Sequence, residues 1–226
     1  MRNVFAWASA ALFLVSLGYF LFTYTVTFAE PATGPVRTAD LAWNAGLFTL
    51  FALHHSAFAR TPLRRAVARS VPAGLERSFY VAVASILLIL VCRWWRPVPG
   101  VAWAVEGPAA WMLRAGQLAG VWLTIRSAAI IDVRELAGLT RSRPAATGFS
   151  TRGPYGWVRH PIYAGWFLLV FCVPLMTMTR LEFAVVSAMY ILVAIPLEER
   201  TLRATAGAPY EAYARAVRWK LIPKLY

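Results

Sequence analysis

The chain has 226 residues, of which 59% are hydrophobic and 15% charged, with a formal net charge of +13. An average soluble domain is about 45–50% apolar and about 25% charged, so this balance excludes a disordered chain, a collagen and an ordinary soluble domain, and leaves an integral membrane protein. The two cysteines, Cys92 and Cys172, both lie in apolar runs and imply no disulfide framework.

A membrane span needs about 20 largely apolar residues. Residues 4–29 form the first predicted span. Its apolar stretch is longer than the roughly 7–15 residues of a signal-peptide core, so it is expected to remain as a helix. Residues 41–59 form the second, with His54 and His55 near its end. Residues 79–92 form the third, which reaches full length only with Arg77 and Trp94 at its ends. Residues 111–131 form the fourth, with Arg114 and Arg126 snorkelling near the ends. Residues 162–178 and 183–197 are two short apolar runs, expected to form a tight hairpin through Thr179, Arg180, Leu181 and Glu182. The predicted fold is therefore all-α: a polytopic helical bundle with five to six membrane helices. A short cytoplasmic helix follows at the C-terminus. Residues 1–226 are read as a single membrane domain, with a four-helix part over 1–131 and a C-terminal part over 132–226.

The basic residues are unevenly spread. Arg60, Arg64, Arg65, Arg69 and Arg77 fall in one loop, and Arg134, Arg141, Arg143, Arg152 and Arg159 in another. Arg200, Arg203, Arg215, Arg218, Lys220 and Lys224 fall in the tail. Lys and Arg accumulate in cytoplasmic loops. Six crossings with both termini cytoplasmic put all of these on one face. The charge is then topological and faces anionic lipid, so the bilayer is the expected partner and nucleic acid is not. Trp94, Trp95, Trp103 and Trp111 read as an interfacial aromatic belt on the other face.

Ionisable groups gather at the helix ends on the cytoplasmic side: His54 and His55, then Asp132 and Glu135, then Arg159 and His160, then Glu198 and Glu199. Gly153-Pro154 and Gly156 force a turn before Arg159-His160-Pro161, and Pro161 suits the first turn of a helix. Arg159 and His160 thus sit at a helix N-terminus, where an anion is favoured. The alternative is that Arg159 is a positive-inside anchor and His160 a cap. Further on, Pro196 kinks the last membrane helix or starts a new one, Gly207 stops it, and Pro209 restarts a short helix. Glu198 and Glu199 are suited to an ammonium or to hydroxyls. The alternative is an exposed pair with Glu199 bridged to Arg203 at i,i+4.

Gly153-Pro154-Tyr155, Arg159-His160-Pro161, Tyr163 and Gly165, followed by Glu198-Glu199, Leu202, Gly207, Tyr210 and Tyr213, resemble the isoprenylcysteine carboxyl methyltransferase superfamily. His54-His55-Ser56, Glu76-Arg77-Ser78, Tyr80, Trp95-Arg96-Pro97 and Trp103 look like its bacterial methanethiol S-methyltransferase and denitrification-associated branch. The resemblance implies S-adenosylmethionine as cofactor, held by the C-terminal part on the cytosolic side of a bacterial inner membrane. By carry-over Tyr155, Arg159, His160 and Tyr163 line the pocket, with Glu198 and Glu199 across it. The methionine portion of that cofactor carries a carboxylate and an ammonium, matching the two charged clusters. A soluble Rossmann-type methyltransferase is excluded, because the chain has no GxGxxG in a βαβ unit.

The expected reaction is methylation of a small or lipophilic thiol. A thiol must lose its proton to become a nucleophile. His54 or His55 is the expected proton acceptor, with Arg159 stabilising the developing anion. Adjacent histidines on a helix point to different sides, so one of the two is expected to act, with His55 preferred. No metal site is expected. The competing readings are carboxyl methylation of a prenylcysteine-like lipid, N-methylation of a phospholipid amine and, from another class, a haem-binding protein ligated by His54, His55 or His160.

Overall fold

The computed structural model describes residues 2–58, 71–72, 74–139 and 149–226. The basic positions Arg60, Arg64, Arg65, Arg69, Arg141 and Arg143, and the end of the second predicted span at Ala59, lie outside the described residues. Helices dominate: α1 (Arg2–Thr25), α2 (Thr38–Phe58), α3 (Glu76–Trp94), α4 (Gly107–Ile131), the four-residue α5 (Val133–Leu136), α6 (Pro161–Phe171), α7 (Met178–Ala206) and α8 (Ala208–Ala216). Among the described residues, three helical stretches are long and apolar enough to cross a membrane: Asn3–Ala29, Glu76–Trp94 and Met178–Ala206. The apolar α6, at 11 residues, is too short to cross unaided at about 1.5 Å per residue. Apolar side chains stay open on these helices, among them Leu14 on α1 (65% exposed) and Val193 on α7 (61%). Bare apolar surface of this kind belongs against lipid rather than water.

The described fold is not purely helical. Strands β1 (Val101–Ala104) and β2 (Leu175–Thr177) pair antiparallel, Val101 opposite Thr177 and Ala104 opposite Leu175. This pairing moves the predicted hairpin turn. Thr179–Glu182 is not a loop; it lies in the first turns of α7, and the chain reverses through Cys172–Pro174 and β2 instead. Side-chain bonds explain the shift. Thr179 Oγ1 accepts from the Val98 amide at 2.9 Å. Arg180 is buried and donates to three carbonyls: Tyr24 and Thr25 at the end of α1, both at 2.9 Å, and Leu175 at 2.6 Å. A helix end leaves carbonyls unpaired, and Arg180 fills that role for α1. α7 also runs unbroken through Pro196, so no new helix starts there.

The chain divides into two compact units. The first comprises Met1–Ala104, Arg134–Ser142 and Leu175–Val186. Its core is a set of rings around Phe183: Phe20, Tyr24, Phe28, Phe48 and Trp95 all lie with centroids 5.2–5.8 Å from it. Buried Asn44 ties α2 to the segment after α3, exchanging bonds with the backbone of Arg96 and donating to Glu182 at 2.7 Å. Arg96 pairs with Asp40 at 2.7 Å and covers the Trp43 ring at 4.8 Å.

The second unit comprises Val105–Val133, Arg143–Pro174 and Ser187–Tyr226. Within it α4 and α6 touch through Gly120 and Gly165, and Gln117 Nε2 donates to the Leu169 carbonyl at 3.1 Å. α4 ends at Asp132, whose φ of 118° cannot continue a helix. Ile191, Ile195 and Leu221 form one small core with Tyr163, Trp166 and Phe167 against it, while Tyr210, Tyr213 and Val217 form another.

Candidate functional site

The expected turn forms: Gly153–Gly156 is a single 3-10 turn, with Gly153 at φ 55° and Pro154 buried. His160 is the residue before α6 and Pro161 opens it. Gly207, at φ 57°, separates α7 from α8, with Pro209 in the first turn of α8. These local signals bring the Arg159–Tyr163 stretch and the Glu198–Glu199 pair together in the second unit.

The two glutamates have different fates. Glu199 is buried. Its Oε1 accepts from Arg159 Nε at 2.7 Å and meets His160 Nε2 at 3.3 Å, and its Oε2 faces Arg203 at 3.5 Å. The i,i+4 bridge to Arg203 therefore exists, but Glu199 is not exposed. Glu198 is open to solvent. It accepts from Tyr163 Oη at 3.0 Å and lies 3.8 Å from His160 Nδ1. His160 stands between the two carboxylates, with its ring parallel to that of Tyr163 at 5.5 Å.

Arg159 is nine-tenths buried and mostly committed inside the protein. Besides Glu199, its Nη1 donates to the carbonyls of Val217 and Arg218 at 2.8 and 2.7 Å. The Arg159 and His160 amides donate to the carbonyls of Trp219 and Lys220, so the tail is bonded to this turn. Among the described residues, Nη2 is the guanidinium nitrogen with no partner. The tail contacts were not legible in the sequence, because they use backbone carbonyls that any residue would supply.

Tyr155 sits half-buried in the turn, and its carbonyl accepts from Tyr213 Oη at 3.0 Å. Burial pushes its phenol well above the ordinary range, and neighbouring Tyr213 and Glu198 push it further. Tyr163, through its hydroxyl, and His160, through Nδ1, thus flank Glu198 with two aromatic side chains. A carboxylate beside aromatic faces suits a cation, since ring faces carry negative potential. The His54–His55 pair lies in the first unit, where both rings pack against Tyr80.

Comparison with known proteins gives this geometry its chemical setting. The isoprenylcysteine carboxyl methyltransferase (ICMT) family matches residues 141–204. The chain is 36% identical to methanethiol S-methyltransferase 2 of Bradyrhizobium diazoefficiens over 99% of its own length and 90% of that protein. It is also 36% identical to the methanethiol S-methyltransferase of Mycobacterium tuberculosis, over 95% of this chain and 93% of that one. Nurim of Homo sapiens is 29% identical, over 73% of this chain and 69% of its own.

The chain belongs to the ICMT family.

It is a methyltransferase, and its apolar helices make it an integral membrane protein. No solved structure matches it. The family match contains Arg159, His160, Tyr163, Glu198 and Glu199, together with Phe149 and Arg203, and ends before Tyr210, Glu211 and Tyr213. Arg203 bridges to Glu211 at 3.0 Å and covers the Tyr210 ring at 5.6 Å, while Phe149 stacks on Tyr213.

Tyr213 carries a pH prediction. Burial pushes its phenol up to about 12; Arg159 lowers it and Glu199 raises it. The fold favours the neutral phenol, whereas an unfolded tyrosine ionises near about pH 10. The contribution is complete below about pH 10 and is lost as pH rises through about 12. Alkaline unfolding in detergent, followed by tryptophan fluorescence, should steepen in that window, and Tyr213→Phe should flatten it. Identical curves for the two proteins would show that the phenol carries no such linkage.

Proposed function

We propose that this methyltransferase transfers the methyl group of S-adenosylmethionine to a small or lipophilic thiol of the methanethiol type, at the cytoplasmic leaflet of a bacterial inner membrane. The observation that carries the reading is full-length similarity to proteins named for that reaction, 36% identity over 99% of the chain. The charge asymmetry of the loops supports five to six crossings with both termini cytoplasmic.

The residues around Glu198 fit the donor. When bound, S-adenosylmethionine supplies a methyl group on a positively charged sulfur. The open Glu198 carboxylate, steadied by Tyr163, receives the ammonium of the methionine portion. The faces of Tyr155, Tyr163 and His160 suit the remaining positive charge. Arg159 Nη2 is left for the methionine carboxylate, and Glu199 holds both Arg159 and His160 in place. For the acceptor, His54 or His55 takes the thiol proton. Orienting the two reactants is worth up to roughly 7–11 kcal/mol of the barrier.

Incubating purified protein with S-adenosylmethionine and methanethiol should yield dimethyl sulfide and S-adenosylhomocysteine in equal amounts. Parallel incubations with a prenylcysteine and with a phospholipid amine test the other acceptors. Product only from one of those would replace the thiol reading with carboxyl or amine methylation. Glu198→Gln should weaken S-adenosylhomocysteine binding by about tenfold, or about 1.4 kcal/mol, in calorimetry. Unchanged affinity would remove Glu198 from the donor site.

A further inference from the structure

The chain that follows α8 serves both arms of the Arg159–Glu198 cluster. Main-chain bonds hold the first arm. The amides of Arg159 and His160 donate to the carbonyls of Trp219 and Lys220, both at 2.8 Å, and Arg159 Nη1 donates to those of Val217 and Arg218. Apolar packing supports the second arm. Leu221, 3% exposed, is buried with Ile191 and Ile195, and Tyr163 packs against that core while its hydroxyl donates to Glu198. Residues 217–221 thus bond to one arm and pack beneath the other.

The next five residues hold that path in place. Ile222–Tyr226 are all exposed, and an exposed run with no core of its own frays unless it is tied down. Here the chain turns back through Pro223 and Lys224, the latter at φ 67°. The main-chain oxygen of Tyr226 then accepts from three successive amides: Lys220 at 2.9 Å, Leu221 at 2.8 Å and Ile222 at 3.0 Å. A return bond runs from the Tyr226 amide to the Ile222 carbonyl at 3.0 Å. Successive amides that converge on one oxygen form a nest, whose N–H dipoles hold an electron-rich atom. The Lys220 ammonium closes the loop from the side-chain side, 4.5 Å from the Tyr226 ring centroid. Lys220 is therefore gripped on both sides, its amide by Tyr226 and its carbonyl by His160.

We propose that Tyr226 is a positioning residue of the donor site, acting through Lys220 and Trp219 on the backbone of His160 and Arg159. This rests on the reading of the Glu198 cluster as the S-adenosylmethionine site. Among the described residues, the hydrogen bonds of Tyr226 go to Lys220, Leu221 and Ile222, so its influence on the donor passes through them. Residues 223–226 are exposed and bury little apolar surface. Their loss therefore shifts the two carbonyls that hold Arg159 and His160 without unfolding the protein. The effect falls on the grip on the donor.

The test ends the chain after Ile222, which removes the Tyr226 oxygen and keeps Leu221 and the carbonyls of Trp219 and Lys220. In detergent, the shortened protein should bind S-adenosylhomocysteine about tenfold more weakly in calorimetry, with KM for S-adenosylmethionine raised by a similar factor. Its kcat and its KM for methanethiol should stay within about twofold of wild type, and its unfolding midpoint within about 3 °C. Tyr226→Phe keeps the main-chain oxygen and should restore the affinity. Leu225→Ala, at a position 76% exposed, should leave the affinity unchanged. Tyr226→Pro keeps the chain length but cannot donate to the Ile222 carbonyl, and should show the donor-specific loss at smaller size; it decides the matter should the shortened chain not fold. Wild-type affinity in both variants would remove Tyr226 from the donor site. A loss of donor affinity, methanethiol KM and midpoint together would make its role structural. Either overturns the proposal. A wild-type protein that binds no S-adenosylhomocysteine would overturn the donor-site reading itself, an outcome separate from both.

Discussion

Glu199→Gln should cost the fold about 3–5 kcal/mol, whereas Glu198→Gln should leave stability within about 0.5 kcal/mol. The two residues are neighbours with the same side chain, and the difference comes from what surrounds them. Glu199 is 1% exposed and lies 2.7 Å from the Arg159 guanidinium, which is itself buried. Removing the carboxylate charge leaves a cation without its counter-charge in a poorly solvated site. Arg159 also holds the carbonyls of Val217 and Arg218, so its displacement releases the tail from the turn. Glu198 is open to water and loses only its bond from Tyr163. Thermal unfolding in detergent would show a large fall in midpoint for Glu199→Gln alone. Removing both partners, as Arg159→Met with Glu199→Leu, should recover part of the loss, because an apolar pair leaves no unpaired charge. Equal midpoints for Glu199→Gln and Glu198→Gln would show that the ion pair does not hold the tail.

The second large effect lies at the glycine contact of α4 and α6. A Cβ on Gly120 would sit 2.6 Å from the Gly165 carbonyl oxygen and 2.7 Å from the Leu169 amide nitrogen. A Cβ on Gly165 would meet Thr124 Oγ1 and, at 2.7 Å, the Gly120 carbonyl oxygen. Most of these obstacles are backbone, which cannot rotate away. The helices must therefore separate, at about 1–3 kcal/mol for each Gly→Ala change. α6 begins at Pro161, directly after Arg159 and His160, so the shift should also reach the proposed donor site. Gly18→Ala and Gly46→Ala are the controls. Both positions are helical with nothing within 4 Å, and alanine should be neutral or stabilising by up to about 1 kcal/mol. Unfolding midpoints and S-adenosylhomocysteine affinity would be measured for all four variants. Matching behaviour at Gly120 and Gly18 would sink the close-contact argument.

The legible parts of this protein were those governed by short stretches of chain. Gly153, Pro161, Gly207 and Pro209 act through their own dihedral limits, and the turn, the helix start and the helix break appear where those residues stand. The predicted hairpin at Thr179–Glu182 failed for a long-range reason. Those residues look like a polar turn between apolar runs, yet Thr179 and Arg180 are polar because they satisfy the backbone at Val98, Tyr24 and Thr25. A partner about 80 or 155 positions away leaves no mark on the local pattern. The β1–β2 pairing escaped notice likewise, since a three-residue strand is too short to show a period.

Solvent preference is nearly additive along a chain, so composition and apolar runs were enough to assign the class: a helical membrane protein. The resemblance of Arg159-His160-Pro161, Tyr163 and Glu198-Glu199 to a known methyltransferase family was enough to suggest methyl transfer. The division of labour between Glu198 and Glu199 was decided only on folding, as was the inward turn of Arg159. So was the pairing of His55, rather than His54, with the Tyr80 hydroxyl. Each depends on desolvation and hydrogen-bond geometry, which arise when separate helices and the tail come together. Two adjacent identical residues differ in these respects only once their surroundings exist.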